Sequence, residues 1–148
     1  MGTLIEGLKI VPKQIHRDQR GAVYHMLRAD GPEFDGKFGE VYFSSVQYKA
    51  VKGWKRHTKM EQRLAVPIGS ISFVFCDDRE RSPTRGQVLE LQVGPEAFQL
   101  IIVPAGIWYG FRGDADPESL VVNCSSIPHD PNESESLPLE KGTWYRWK

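Results

Sequence analysis

The run Lys52-Gly53-Trp54-Lys55-Arg56-His57 gathers three cations and an imidazole within six residues. In a regular strand Lys55 and His57 project to the same face, so both can point into one cavity. An imidazole with an unperturbed pKa near 6.5 suits a proton shuttle. The competing reading of His57 is a solvated or hydrogen-bonded strand histidine. Lys55 can act as a base only if its pKa falls by about three units from roughly 10.4, through desolvation or nearby positive charge. Lys52 and Arg56 are close enough in sequence to supply that repulsion. Otherwise Lys55 is a cation for phosphate or carboxylate.

Other side chains suit an anionic, ring-bearing ligand. Arg20, Lys52 and Arg56 can meet phosphates, arginine through a bidentate fork. Tyr42, Trp54 and Trp108 offer faces for stacking on a base or sugar. Each has a plainer alternative: Arg20 pairs with Asp18 on the surface, and the tryptophans fill core. His16, His25 and His129 carry no pattern. Cys76 and Cys124 lie inside apparent strands with no second cysteine nearby, which reads as reduced core thiols.

The elements that position these residues are strands. Leu89, Leu91 and Val93 alternate with Glu90 and Gln92, and Ile71, Phe73 and Phe75 share one face, both with the period of two that marks a half-buried strand. Phe98 to Val103 and Leu120 to Asn123 are short apolar runs that fit strands buried on both faces. Tyr24 to Leu27, Val41 to Tyr48 and Leu8 to Val11 add further strands. Turn signals separate them at Pro67-Ile68-Gly69-Ser70, Ser82 to Gly86, Gly94-Pro95, Pro104-Ala105-Gly106 and Gly113 to Pro117. No stretch keeps helical periodicity over three turns. An all-β, closed barrel is expected, because closure removes exposed strand edges.

The 148 residues suit one domain, 1–148, with an acidic, proline-rich tail from 127 to 148. That tail ends in Thr143-Trp144-Tyr145-Arg146-Trp147, and aromatic rings of this size are expected to pack onto the barrel. Nineteen Lys and Arg balance nineteen Asp and Glu, so no basic footprint for nucleic acid or anionic membrane exists. No apolar run approaches the roughly 20 residues of a membrane span, and the N-terminus lacks a secretory h-region. A cytoplasmic location is expected.

Several segments, in order, resemble the dTDP-4-dehydrorhamnose 3,5-epimerase family. They are Asp18-Gln19-Arg20-Gly21, Phe38 to Ser45, Lys52-Gly53-Trp54-Lys55, Gly69 to Arg79 followed by Ser82-Pro83-Thr84-Arg85-Gly86, Pro104 to Phe111, and the close with Glu140 and Trp147. The resemblance covers residues from about 8 to the C-terminus. It implies a double-stranded β-helix (cupin, jelly-roll) fold, a homodimer in which an N-terminal strand crosses to the partner, and a nucleotide-sugar ligand. It also implies proton abstraction beside a keto group, with no cofactor.

The family supplies a His oriented by an Asp, a Lys near the oxyanion, and a Tyr as acid. Carried over by position, this sequence has Lys55 at the His, a residue near Gln62 at the Lys, and one near Val122 at the Tyr. The Asp falls at or beside Glu140, and a later family His is Tyr109. The expected catalytic set is therefore Lys55, His57, Tyr109 and Glu140. The expected substrate contacts are Arg20, Lys52, Arg56, Gln62, Tyr42 and Trp108. Metal is not expected, since a cupin His-x-His pair would here be Lys55 and His57, which hold a divalent ion poorly. Three functions stay open: an epimerase or isomerase of a dTDP-4-dehydro-6-deoxyhexose or similar keto-sugar, a catalytically divergent binding or partner module in deoxysugar or surface-polysaccharide synthesis, or a cupin using its cavity for an unrelated small molecule.

Overall fold

The computed structural model describes residues 4–148. Among the described residues twelve strands run β1 Lys9–Pro12, β2 Ile15–Asp18, β3 Gly21–Tyr24, β4 Glu40–Gln47, β5 Val51–His57, β6 Gln62–Ile68, β7 Ile71–Asp77, β8 Val88–Val93, β9 Gln99–Val103, β10 Ile107–Gly113, β11 Glu118–Ser125 and β12 Ser134–Ser136. One 3-10 turn, Leu139–Lys141, is the only helical element among the described residues. No helix there is long and apolar enough to cross a membrane.

The strands form two five-stranded antiparallel sheets, in the orders β1-β9-β6-β11-β4 and β12-β5-β10-β7-β8, with β2 and β3 as a separate hairpin. This is the jelly-roll of the cupin type. The period of two decides which residues face inward. Val46, Leu64, Val66, Ile101 and Val121 from the first sheet meet Ile71, Phe73, Phe75, Ile107 and Phe111 from the second in one core. Burying each such side chain contributes roughly 1.5–3 kcal/mol. β1 pairs with β9 of its own chain, Lys9 opposite Ile102.

Two local departures from the sequence reading have simple causes. The ladder expected at Tyr24 to Leu27 runs instead from Gly21 to Tyr24, because a tight turn after Asp18 pairs Ile15 with Tyr24. Pro67 and Ile68 belong to β6, not to the turn. Pro67 lies where the β6–β11 register slips between Ala65 and Ile68, a place that asks for no ladder N–H. The turn itself falls on Gly69, whose φ of +85° suits glycine.

A β-bulge sets the parity of the site. Tyr109 pairs with Lys55 and Gly110 pairs with Gly53, leaving Trp54 as an extra residue on β5. Lys52, Lys55 and His57 therefore share the inner side, whereas Trp54 and Arg56 turn outward. On that outer face Trp54, Val74, Cys76 and Trp108 pack under Leu137, Leu139, Trp144, Tyr145 and Trp147 of the tail. β12 fixes the tail's course by pairing Ser136 with Lys55 and Ser134 with His57.

Candidate active site

A cavity of about 280 Å³ opens between the two sheets. Tyr42 and Ser44 of β4, Gln62 of β6 and Asn123 of β11 line one wall, and Lys52 and Lys55 of β5 and Tyr109 of β10 line the other. Leu64, Phe73, Phe111 and Val121 give it an apolar floor. Among the described residues no carboxylate and no imidazole lines it. Two ammonium groups facing an acid-free, partly apolar space make it complementary to an anion that also carries a ring.

The two lysines are held differently. Lys52 Nζ donates to the Ser45 carbonyl at 2.5 Å and to Ser44 Oγ at 3.4 Å. The Lys55 ammonium has no hydrogen bond or ion pair among the described residues, so its charge is free for a ligand. Tyr109 hydrogen-bonds Gln62, and burial holds its phenol well above the usual tyrosine range. Burial also raises Tyr42, against the opposing effect of its hydrogen bond with Asn123. Asn123 Nδ2 donates to Tyr42 Oη at 2.8 Å, and Asn123 Oδ1 accepts from the Arg63 backbone N–H at 3.1 Å.

At the end of β5, His57 is 6% exposed and Glu133 4%. His57 Nδ1 lies 2.7 Å from Glu133 Oε1. Glu133 Oε2 accepts the backbone N–H groups of Lys59 and Met60, each at 2.9 Å. Burial pushes this carboxyl up, but the Met60 N–H, His57 and the Lys59 N–H outweigh it and hold the group below the usual range. The His57 ring stacks on Tyr109 with centroids 6.0 Å apart and planes 15° from parallel. Its Nε2 is buried with no protein partner.

Thus the structure brings Lys52, Lys55, Gln62, Tyr42 and Tyr109 together around the cavity, with His57 adjoining through Tyr109. The other expected residues lie elsewhere. Glu140 is exposed on the 3-10 turn and lines no part of the cavity, because that turn aims it at solvent. Arg20 is at the tip of the β2–β3 hairpin, its side chain 90% exposed and paired with Asp18 at 2.7 Å. Arg56 and Trp108 occupy the outer face, since the parity of β5 and β10 turns them away. There the guanidinium lies 4.5 Å above the indole and pairs with Glu135. Val122 also faces outward, and its neighbours Val121 and Asn123 are the ones that enter the cavity.

Sequence reasoning missed Glu133 and Asn123. Asn123 had a signal, as a polar residue interrupting the apolar run Leu120-Val121-Val122. Glu133 had none, being one of several acids in a segment without periodicity. Among the described residues no group of three or more His, Cys, Asp or Glu is arranged to hold a metal ion.

Residues 2–143 match the family model described as dTDP-4-dehydrorhamnose 3,5-epimerase. A dTDP sugar isomerase from Desulfovibrio desulfuricans G20 has a crystal structure that is 40% identical with a TM-score of 0.92, covering 100% of this chain and 94% of that one. The probable low-salt glycan biosynthesis epimerase Agl13 of Haloferax volcanii is 30% identical over 140 residues, 92% of this chain and 89% of that protein. The fold also matches dTDP-6-deoxy-D-glucose-3,5-epimerase RmlC from Legionella pneumophila Philadelphia 1, solved in complex with dTDP-4-keto-L-rhamnose. That likeness has a TM-score of 0.84 at 22% identity and covers 99% of this chain and 81% of that one. A jelly-roll with this motif order, matched by the family model along nearly all its length, belongs to the dTDP-4-dehydrorhamnose 3,5-epimerase family.

Proposed function

We propose that the chain is an isomerase of a nucleotide-linked 4-keto-6-deoxyhexose, working in deoxysugar or glycan biosynthesis by proton abstraction beside the keto group. The observation that carries this reading is the buried His57–Glu133 pair on the cavity side of β5. Glu133 accepts from Nδ1–H and fixes that tautomer, which leaves the Nε2 lone pair as the base. The Tyr109 ring on which His57 stacks lines the cavity, and it is past this ring that Nε2 would have to reach the sugar. As the proton leaves carbon, charge develops on the keto oxygen. The unpaired ammonium of Lys55 is the group to stabilise it. Lys52 serves the phosphates, and Gln62 and Tyr109 hold sugar hydroxyls.

The test is incubation with dTDP-4-dehydro-6-deoxyglucose in D₂O. Wild-type protein incorporates deuterium at C3 or C5, and His57→Asn slows this by at least 10²-fold, the usual contribution of a positioned base. Exchange that survives in His57→Asn removes the base assignment.

One observation favours a second reading, a binding or partner module without turnover: His57 itself is not among the residues lining the cavity. Calorimetry with the same nucleotide sugar separates the two, since tight binding with no exchange supports the module.

The finer assignments are a homodimer and the cytoplasm, the compartment in which such a nucleotide sugar would be met. In support of the dimer, Val41 and Phe43 are 48% and 67% exposed on the outer face of β4, an edge strand. A monomeric mass by light scattering at micromolar concentration overturns it.

A further inference from the structure

We infer that Tyr42 is the proton donor on the wall opposite Lys55, a catalytic role that rests on the isomerase reading above. One backbone group beside Tyr42 and Asn123 has no choice of role. The Arg63 N–H can only donate, and it donates to Asn123 Oδ1 at 3.1 Å. That bond fixes which end of the Asn123 amide is oxygen, so the atom 2.8 Å from the Tyr42 hydroxyl is Nδ2. An amide nitrogen only donates. Tyr42 Oη is therefore the acceptor in this pair, and the single phenol proton is not used by Asn123. No other protein acceptor meets that hydroxyl among the described residues. The proton is left for whatever occupies the cavity that Tyr42 lines.

Position gives that proton its use. Tyr42 and Asn123 are direct cross-strand partners on β4 and β11, in one sheet. His57, Lys55 and Tyr109 stand on β5 and β10, in the facing sheet. Inverting a carbon centre means taking the proton from one face and delivering another to the opposite face, so acid and base must stand on opposite walls. The remaining polar groups on Tyr42's wall are Ser44, which accepts from Lys52, and the amides of Gln62 and Asn123. Amides are poor acids. Tyr42 is the group there with a proton to give, and burial keeps that proton in place until a carbanion arrives.

The experiment measures exchange and inversion separately, using dTDP-4-dehydro-6-deoxyglucose in D₂O with NMR of the products. Two variants are compared with wild type. Tyr42→Phe removes the acid and leaves the base. Asn123→Asp keeps Tyr42 but turns its partner into an acceptor that captures the phenol proton. Both variants are expected to exchange deuterium within about threefold of wild type while forming inverted product at least 10²-fold more slowly, the general-acid contribution. Retained exchange also shows that the barrel has folded. Inversion at the wild-type rate in Tyr42→Phe overturns the assignment, as does parallel loss of exchange and inversion in both variants. Wild-type protein that neither exchanges nor inverts overturns the isomerase reading and this role with it.

Discussion

His57 Nδ1 lies 2.7 Å from Glu133 Oε1 across 76 residues of sequence. The pair joins the last residue of β5 to the tail, and the other Glu133 oxygen caps the N–H groups of Lys59 and Met60 at the start of the loop into β6. One carboxylate thus orients the imidazole and closes the turn behind it. The Glu133 carbonyl also accepts from the Thr58 N–H at 2.9 Å and hydroxyl at 2.6 Å, so the tail cannot shift without moving the imidazole.

Glu133→Gln should therefore damage both catalysis and stability. Its amide oxygen can still accept the Lys59 and Met60 N–H groups, but its NH2 then faces His57 Nδ1 and either leaves that bond unmade or turns the imidazole to the tautomer with Nε2 protonated, which removes the Nε2 lone pair. The expected cost is about 1–3 kcal/mol, with a 10–10²-fold fall in exchange rate and little change in nucleotide-sugar affinity. The pH dependence has a definite sign. Glu133 titrates lower when folded than its ordinary 4.5, so its contribution is present above that value and is lost as pH falls through the folded pKa. Thermal unfolding of wild type and variant from pH 7 to pH 3 checks this. The gap in Tm should narrow below about pH 4.5.

Lys52 and Lys55 should separate binding from turnover. Lys52 is tied to β4 through Ser45 and Ser44, a fixed positive charge, whereas Lys55 is unpaired beside Tyr109. Lys52→Met is expected to weaken nucleotide-sugar binding about tenfold, or ~1.4 kcal/mol, measured by calorimetry at low salt. Lys55→Met is expected to change affinity less than threefold and to slow exchange about 10²-fold, the cost of removing one oxyanion donor. The reverse pattern exchanges the two roles.

The sequence shows the barrel because alternation is a local signal, present in Leu89 to Val93 and Ile71 to Phe75 whether or not a partner strand is known. Lys55 and His57 were legible on one face for the same reason. Lys52 joins them only because Trp54 is bulged out, and nothing in the order of residues announces that slip in register. Glu133 and Glu140 show the opposite limit. Both are acids in an irregular tail, and the β12–β5 pairing that buries one beside His57 and leaves the other in solvent is wholly non-local. Arg20 and Trp108 have the residue types of ligand contacts, but a hairpin tip and the parity of β10 send them elsewhere.

Asp77 should be the strongest single polar anchor outside the cavity. It is fully buried at the end of β7. It accepts from Arg79 at 2.9 and 3.0 Å, from Ser82 at 2.5 Å and from Thr84 at 2.6 Å. Burial pushes the carboxyl up, but Arg79, Ser82 and Thr84 together outweigh it and hold it far below the carboxylate range. Asp77→Asn leaves Arg79 without its counter-charge, at a cost of about 3 kcal/mol. The stabilisation is present above the ordinary value of 3.8 and is lost only as pH falls below it. The Tm of Asp77→Asn at pH 7 should be clearly lower, with the loop from 78 to 86 more open to proteolysis than in wild type.

The tail is held on the outer face by rings packed around Trp54. The Trp54 ring is 1% exposed and sits between two glycines. A Cβ on Gly110 would meet Trp54 ring carbons and Trp147 Cζ2 at 3.1 Å, while one on Gly142 would meet Trp54 Nε1 at 2.1 Å. The ring cannot retreat from either, because Trp144 and Trp147 pack on it with centroids 5.1 and 5.5 Å away. Gly142→Ala should thus destabilise more than Gly110→Ala, the latter by about 1–3 kcal/mol as for other overpacked sites. Because Trp54 stands in β5 between Gly53 and Lys55, which line the cavity, the damage should reach the ligand. Both variants should show red-shifted tryptophan emission and weaker nucleotide-sugar binding in that same order. Equal stability of the two would mean that the backbone at Gly142 yields freely and that the tail is not clamped there.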